Sequence, residues 1–360
     1  MSYRLTRFLI LLLILLAYPY PSPAPLIYRA GEGWIYEPVG AKGEWMRSRA
    51  KGQLDVANQS FEKKDYKIAL RAARRTVSMW PLSDYAPEAQ FLIGKCYEAK
   101  GNDEKAFKEY QKLLEKYPKF TKREDVMERQ YEIANRYLGG KWFRIFGVIP
   151  LYRSMEKTSQ MFEKIVKNGP FSEVAPQAQL KIGTAQEKRK EYPEAVKAYE
   201  KAADKYHDRP QIAAEALFKA GYAHYKQALK AEYDQNSAAQ AIATFTDFLT
   251  LYPNDPRVPE ARKYIAELRT EQSRGAFEIA KYYEKRHHWS GAEIYYNEAI
   301  QKDPTSPYAE ESRKRLEVLK EKGRIEEQAS AKETKTDSTK DKANEKENSA
   351  DNKDKDNKDK

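Results

Sequence analysis

The sequence of 360 residues holds a single cysteine, Cys96, so no intramolecular disulfide can form and no cysteine-rich metal site can be built. Histidine is nearly as scarce. His287 and His288 are adjacent and point in different directions on a helix, which denies them the i, i+4 spacing that chelates a metal; His207 and His224 stand alone. A phosphate-cradling loop is missing as well, because Gly139-Gly140-Lys141 is followed by Trp142 where a hydroxyl residue is needed, and the first glycine is misplaced. No Ser, His and Asp set presents itself. Cys96, between Lys95 and Tyr97 in a helical stretch, reads as a small buried residue. From these absences no cofactor, no metal and no enzymatic activity is expected.

Long apolar runs are also lacking, with one exception. Arg4 and Arg7 precede Phe8 to Tyr18, a run of the length of a signal-peptide core and short for a bilayer span; Pro19, Pro21, Pro23 and Pro25 follow it. Residues 1–30 are therefore read as a signal peptide or an uncleaved signal anchor, and residues 31–45 as a linker. The chain is expected to be exported to the periplasm. Cys96 lies far from this leader, so a lipid-modified cysteine directly after it is not available, and membrane association has to come from the apolar leader or from a partner.

The 65 basic and 54 acidic residues give a net charge of +11. Lys and Arg alternate with Glu and Asp along nearly every helical stretch and form no concentrated cationic stripe, so nucleic acid is not an expected partner. From Gln328 to Lys360 there are nine Lys, nine Asp or Glu, no aromatic residue and no Val, Ile or Leu. Such a stretch cannot bury enough apolar area to offset chain entropy, so residues 327–360 are expected to be a disordered charged tail.

What the sequence does hold is a repeat. Aligning Ala69, Ala106, Thr158, Ala195, Ala241 and Ala292 places an aromatic or small residue four positions later (Ala73, Tyr110, Phe162, Tyr199, Phe245, Tyr296). A helix-terminating residue follows at twelve (Pro81, Pro118, Pro170, His207, Pro253, Pro304). Small residues Ala57, Gly94 and Gly183 stand twelve positions upstream of the first, second and fourth frame residues. Apolar residues recur at helical spacing in both halves of each unit, as in Phe91, Ile93, Gly94, Tyr97 and in Phe107, Tyr110, Leu113, Leu114. One helix pair cannot bury its stripe alone, but stacked neighbours can. The fold expected over residues 46–326 is all-α: a tetratricopeptide-like α-solenoid of about six helix pairs, closed by a capping helix at Tyr308 to Lys322.

From about Pro170 to Lys320 the order of features is more specific. Ala241-Ile242-Ala243-Thr244-Phe245-Thr246-Asp247-Phe248-Leu249-Thr250-Leu251-Tyr252-Pro253 leads into a long helical stretch carrying Ile279-Ala280-Lys281-Tyr282-Tyr283, then Trp289, Gly291 and Ala292. This resembles the BamD family of outer-membrane protein assembly factors. The resemblance implies a non-catalytic periplasmic scaffold at the outer membrane, binding a barrel-inserting outer-membrane protein and unfolded barrel substrates. A periplasmic adaptor of the cell-envelope, Tol-Pal or cell-division machinery is the alternative. The chain departs from the family in lacking the lipid-modified cysteine and in carrying six units where five are usual.

In a tetratricopeptide stack the first helix of each pair lines the binding groove. By that resemblance the groove includes Leu54, Asn58, Phe61, Glu88, Phe91, Lys95, Glu98, Tyr131, Asn135, Phe218, Tyr222, Tyr225, Phe277 and Lys281, of which Asn58, Phe61, Phe91, Lys95, Tyr131, Asn135, Tyr222, Tyr225 and Lys281 are the candidate binding residues. Asn and Lys would bond an extended peptide's carbonyls or terminal carboxylate, while Phe and Tyr anchor its apolar side chains; the alternative is that the rings pack neighbouring helices. The third unit also carries an insertion in which Trp142, Phe143, Arg144 and Phe146 mix aromatic and basic character. It is either a packed surface loop or a contact site for a partner or membrane surface.

Overall fold

The six frame residues Ala69, Ala106, Thr158, Ala195, Ala241 and Ala292 are all fully buried, and so are the residues four positions after them, Ala73, Tyr110, Phe162, Tyr199, Phe245 and Tyr296. One buried face of every second helix thus presents a small residue and then mostly a large one four positions on. The computed structural model describes residues 26–29, 31, 33–36, 45–145, 149–230 and 235–321.

Six helix pairs follow one another: α1 (Ala50–Glu62) and α2 (Tyr66–Met79), α3 (Tyr85–Ala99) and α4 (Asp103–Lys116), α5 (Arg123–Leu138) and α6 (Met155–Asn168), α7 (Ala175–Lys188) and α8 (Tyr192–Lys205), α9 (Pro210–Lys230) and α10 (Gln235–Leu251), α11 (Val258–Lys285) and α12 (Trp289–Lys302). Residues 307–321 form the closing helix, α13. This is the tetratricopeptide-like solenoid architecture that the repeat dictates.

Local chemistry sets the ends. The Asp65, Asn102 and Ser154 side chains accept hydrogen bonds from the backbone N–H of Ile68, Lys105 and Lys157, capping α2, α4 and α6. Between the helices of four pairs the chain turns through a left-handed residue, always five positions before the frame residue: Lys64 (φ 61°), Gly101 (φ 69°), Lys190 (φ 63°) and His287 (φ 61°). Close approach within a pair is strictest at Gly94, where a Cβ would lie 2.1 Å from Cε1 of Tyr110.

The chain divides into two compact units, Met1–Ala185 and Gln186–Lys360. In the first, Leu54, Leu70, Ala73, Leu92, Ile93 and Cys96 form one buried cluster shared by α1, α2 and α3. Burial pushes the Cys96 thiol up to about 11, consistent with its reading as a core residue. In the second, Phe218, Phe245, Phe248 and Ile265 pack α9, α10 and α11 together, and Leu316 and Leu319 of α13 close over Phe277 and Tyr296.

Among the described residues, two small antiparallel hairpins stand outside the repeat pattern. β1 (Leu26–Arg29) pairs with β2 (Gly33–Tyr36), and β3 (Phe143–Ile145) pairs with β4 (Ile149–Tyr152). The first occupies the region where the sequence pointed to the end of a leader and the start of a linker. The second forms the stem of the insertion. The apolar run at residues 8–18 and the charged tail lie outside the described residues, among which no helix is long and apolar enough to cross a membrane.

Candidate protein-binding surface

In the first unit, α1, α3 and α5 carry a row of cations and rings. The Lys95 ammonium sits 4.9 Å from the centre of the Phe61 ring and 5.8 Å from that of Phe91, and the Arg129 guanidinium lies 5.9 Å over the other contact of the row, Phe91. Phe91 is itself buried at 8% exposure, its ring packed against Tyr110 at 5.8 Å and Phe120 at 6.0 Å, so it supports the row from beneath. Phe61 and Lys95 are half-buried and Asn58 is exposed. Lys95 makes no ion pair among the described residues. Its charge is held by the faces of rings, which attract a cation without neutralising it.

Next to this row lies a charge network. Glu98 accepts hydrogen bonds from the Tyr110 hydroxyl at 2.9 Å, from Arg129 at 3.2 Å and, on its other oxygen, from Arg136 at 3.2 Å. Arg136 also donates to Asp103 at 2.6 Å, and Lys141 donates to the same oxygen at 2.6 Å. Asp103 is 2% exposed, so this is a buried carboxylate held by two cations, and it ties α4, α5 and the base of the insertion together. Burial, reinforced by the Glu98 carboxylate, pushes the Tyr110 phenol far above its ordinary value.

Further along the first helices, Tyr131 is half-buried with its ring edge-on to Phe162 at 5.9 Å, and Asn135 is half-buried. In the second unit Tyr222 and Tyr225 project from α9 toward Tyr264, at ring separations of 5.4 and 4.6 Å. The Tyr225 hydroxyl donates to Glu267 at 2.7 Å; burial first, and then this bond, push it up to about 12. Lys281, exposed on α11, lies 5.4 Å over Phe277. It also lines a cleft of about 610 Å³ with Tyr282, Lys285, His287, Trp289 and Arg315.

The insertion separates its aromatics. Phe143 is 2% exposed and stacks on Tyr137 at 4.2 Å, so its ring is committed to packing, whereas Trp142 is 46% exposed with the Arg153 guanidinium 5.4 Å over it. Arg144 pairs with Pro150 in the backbone register of the hairpin, and Phe146 lies outside the described residues. His287 occupies the left-handed turn before α12 and His288 its N-cap. No group of three or more His, Cys, Asp and Glu able to hold a metal occurs among the described residues.

Glu98, a groove residue by the resemblance, is committed instead to a bond that recurs at the position eight residues before the frame alanine. Glu98, Glu187 and Glu284 share that position, and each bonds the tyrosine twelve residues later. The recurrence was there to be found in the sequence.

A family model described as outer membrane lipoprotein, YfiO, matches residues 152–336, just over half of the chain. The chain belongs to the YfiO family, the BamD-like outer membrane lipoproteins. The match spans α6 to α13, while a tetratricopeptide-repeat model matches residues 88–119, across α3 and α4. Both families are generally non-catalytic protein-interaction scaffolds.

No curated protein matches the chain. Among solved structures, the C-terminal part of a tetratricopeptide protein from Cytophaga hutchinsonii is 17% identical, with 73% of this chain and 87% of that one covered at a TM-score of 0.35. MamA from Desulfovibrio magneticus RS-1 is 15% identical, with 60% and 99% covered at 0.31. YrrB, a tetratricopeptide protein with an unusual peptide-binding site, is 14% identical, with 60% and 92% covered at 0.33.

Proposed function

We propose that this YfiO-family protein is a periplasmic scaffold that assists assembly and insertion of β-barrel proteins into the outer membrane by holding partner chains. The observation that carries the reading is Lys95, a cation over the Phe61 and Phe91 rings with no ion pair among the described residues; Asn58, three residues before Phe61 on α1, is exposed. An extended chain laid across α1 and α3 would meet an amide for its backbone, a ring for an apolar side chain and an unneutralised ammonium for a carboxylate. The partners are a barrel-inserting outer-membrane protein and unfolded barrel substrates. The chain carries out no reaction.

Co-purification from envelope membranes tests this. Recovery of a large barrel protein with periplasmic domains supports the reading. Recovery of Tol-Pal components or cell-wall enzymes in its place overturns it in favour of an adaptor role.

A further inference from the structure

The β1–β2 hairpin has the wrong surface for a solvated ribbon. Tyr28 and Trp34 are directly paired across it, their rings 5.4 Å apart, and they are 62% and 68% exposed. A two-stranded ribbon is marginal alone in water, so something must hold this one. Part of the answer is its tip: the backbone N–H of Asp84, at the start of α3, donates to the carbonyl oxygen of Gly31 at 2.8 Å. That contact fixes the turn to the first unit and leaves the aromatic pair facing outward.

The chain just before the hairpin indicates what covers the pair. The apolar run Phe8–Tyr18 ends eight residues before Leu26, and the intervening chain spans at most about 28 Å when fully extended. Tryptophan and tyrosine are the residues that collect at the membrane–water interface, where the ring is apolar and its N–H or O–H stays wet. The sole cysteine, Cys96, is fully buried in α3, out of reach of lipid modification. A partner's β-strand is a weaker occupant, because strands of four residues offer few backbone bonds along either edge.

We propose that the β1–β2 hairpin seats on a lipid surface, with the Tyr28–Trp34 pair at the headgroup level of the membrane that takes up the apolar run. The hairpin then sets the first unit close against the bilayer, in place of a lipidated cysteine.

The test uses the full chain carrying Trp34→Cys and Cys96→Ala, labelled with an environment-sensitive fluorophore and reconstituted into phosphatidylethanolamine–phosphatidylglycerol vesicles. The expected result is a blue-shifted emission, quenched by headgroup spin-labelled lipid and protected from aqueous iodide. Phe171→Cys, at a position 89% exposed in the loop after α6, should remain open to iodide. Tyr28→Cys repeats the measurement on the other strand. If Cys96→Ala fails to fold, Cys96 is kept, since its side chain is fully buried and out of reach of the label. Equal iodide access at positions 34 and 171 overturns the proposal, as does protection that requires an added protein and is indifferent to lipid.

Discussion

The Tyr110 hydroxyl donates to Glu98 at 2.9 Å across the two helices of one repeat, and the same relation recurs as Tyr199 to Glu187 at 2.9 Å and Tyr296 to Glu284 at 2.5 Å. In each case the tyrosine is fully buried and the glutamate stands near the end of the first helix. A buried phenol needs an acceptor, and the glutamate supplies a charged one. Tyr110→Phe keeps the ring and deletes the bond, and is expected to cost about 1.5–3 kcal/mol, read as a lower midpoint in chemical denaturation.

The same bonds give the fold an alkaline limit. Burial, followed by its bond to Glu267, raises Tyr225 to about 12, and burial first, with glutamate partners second, raises Tyr110, Tyr264 and Tyr296 in the same direction. Below about pH 10, the ordinary tyrosine value, folded and unfolded chains are both protonated and this stability is fully present. As pH rises from there through the folded values, the unfolded chain loses protons first and the stability is lost. Unfolding free energy measured from pH 8 to 12 should fall above about pH 10, and less steeply in Tyr225→Phe.

Gly94 tests the packing beneath. A Cβ there would lie 2.1 Å from Cε1 and 2.4 Å from Cδ1 of Tyr110, in the rigid ring of a fully buried side chain. Gly94→Ala should destabilise the fold by about 1–3 kcal/mol despite alanine's better helix propensity. An unchanged thermal midpoint would show that α3 and α4 can separate freely.

The opposite sign is expected at the turns. Lys64 and Lys190 hold φ of 61° and 63°, a conformation that glycine adopts without penalty and that Gly101 adopts at the same repeat position. Lys64→Gly and Lys190→Gly should each stabilise by about 1 kcal/mol, visible as higher midpoints in denaturant titration.

The repeat was legible because packing is local in sequence. The frame residue, the mostly aromatic position four residues on and the helix terminator at twelve all act within one helix pair, so their period alone gives six pairs; the cap shows in the one apolar side of Tyr308 to Lys322. The turns were half legible: Gly101 announces a left-handed residue, while Lys64, Lys190 and His287 carry no such signal. The spacing of the repeat marks the β3–β4 hairpin only as an insertion, and Pro150 within a short run gives little strand signal. In β1–β2 the strand signal around Gly31 and Gly33 is masked by the apolar leader and the prolines that directly precede it. Burial separated candidates that composition had grouped: Phe91 and Phe143 are packed, while Asn58, Lys281 and Trp142 are exposed. The link from Arg136 and Lys141 to Asp103 joins residues 33 and 38 positions apart and has no local signature.

Whether the first helices hold the partner chain is tested most directly by photocrosslinking in cells. A photoreactive amino acid at Asn58, exposed on α1, is compared with one at Lys67, exposed on α2. Adducts to a barrel-inserting outer-membrane protein or its unfolded substrates are expected from position 58, lost when Lys95→Glu is added, and none from position 67. Equal crosslinking from both positions, or adducts from position 58 that survive Lys95→Glu, would contradict binding by the first helices.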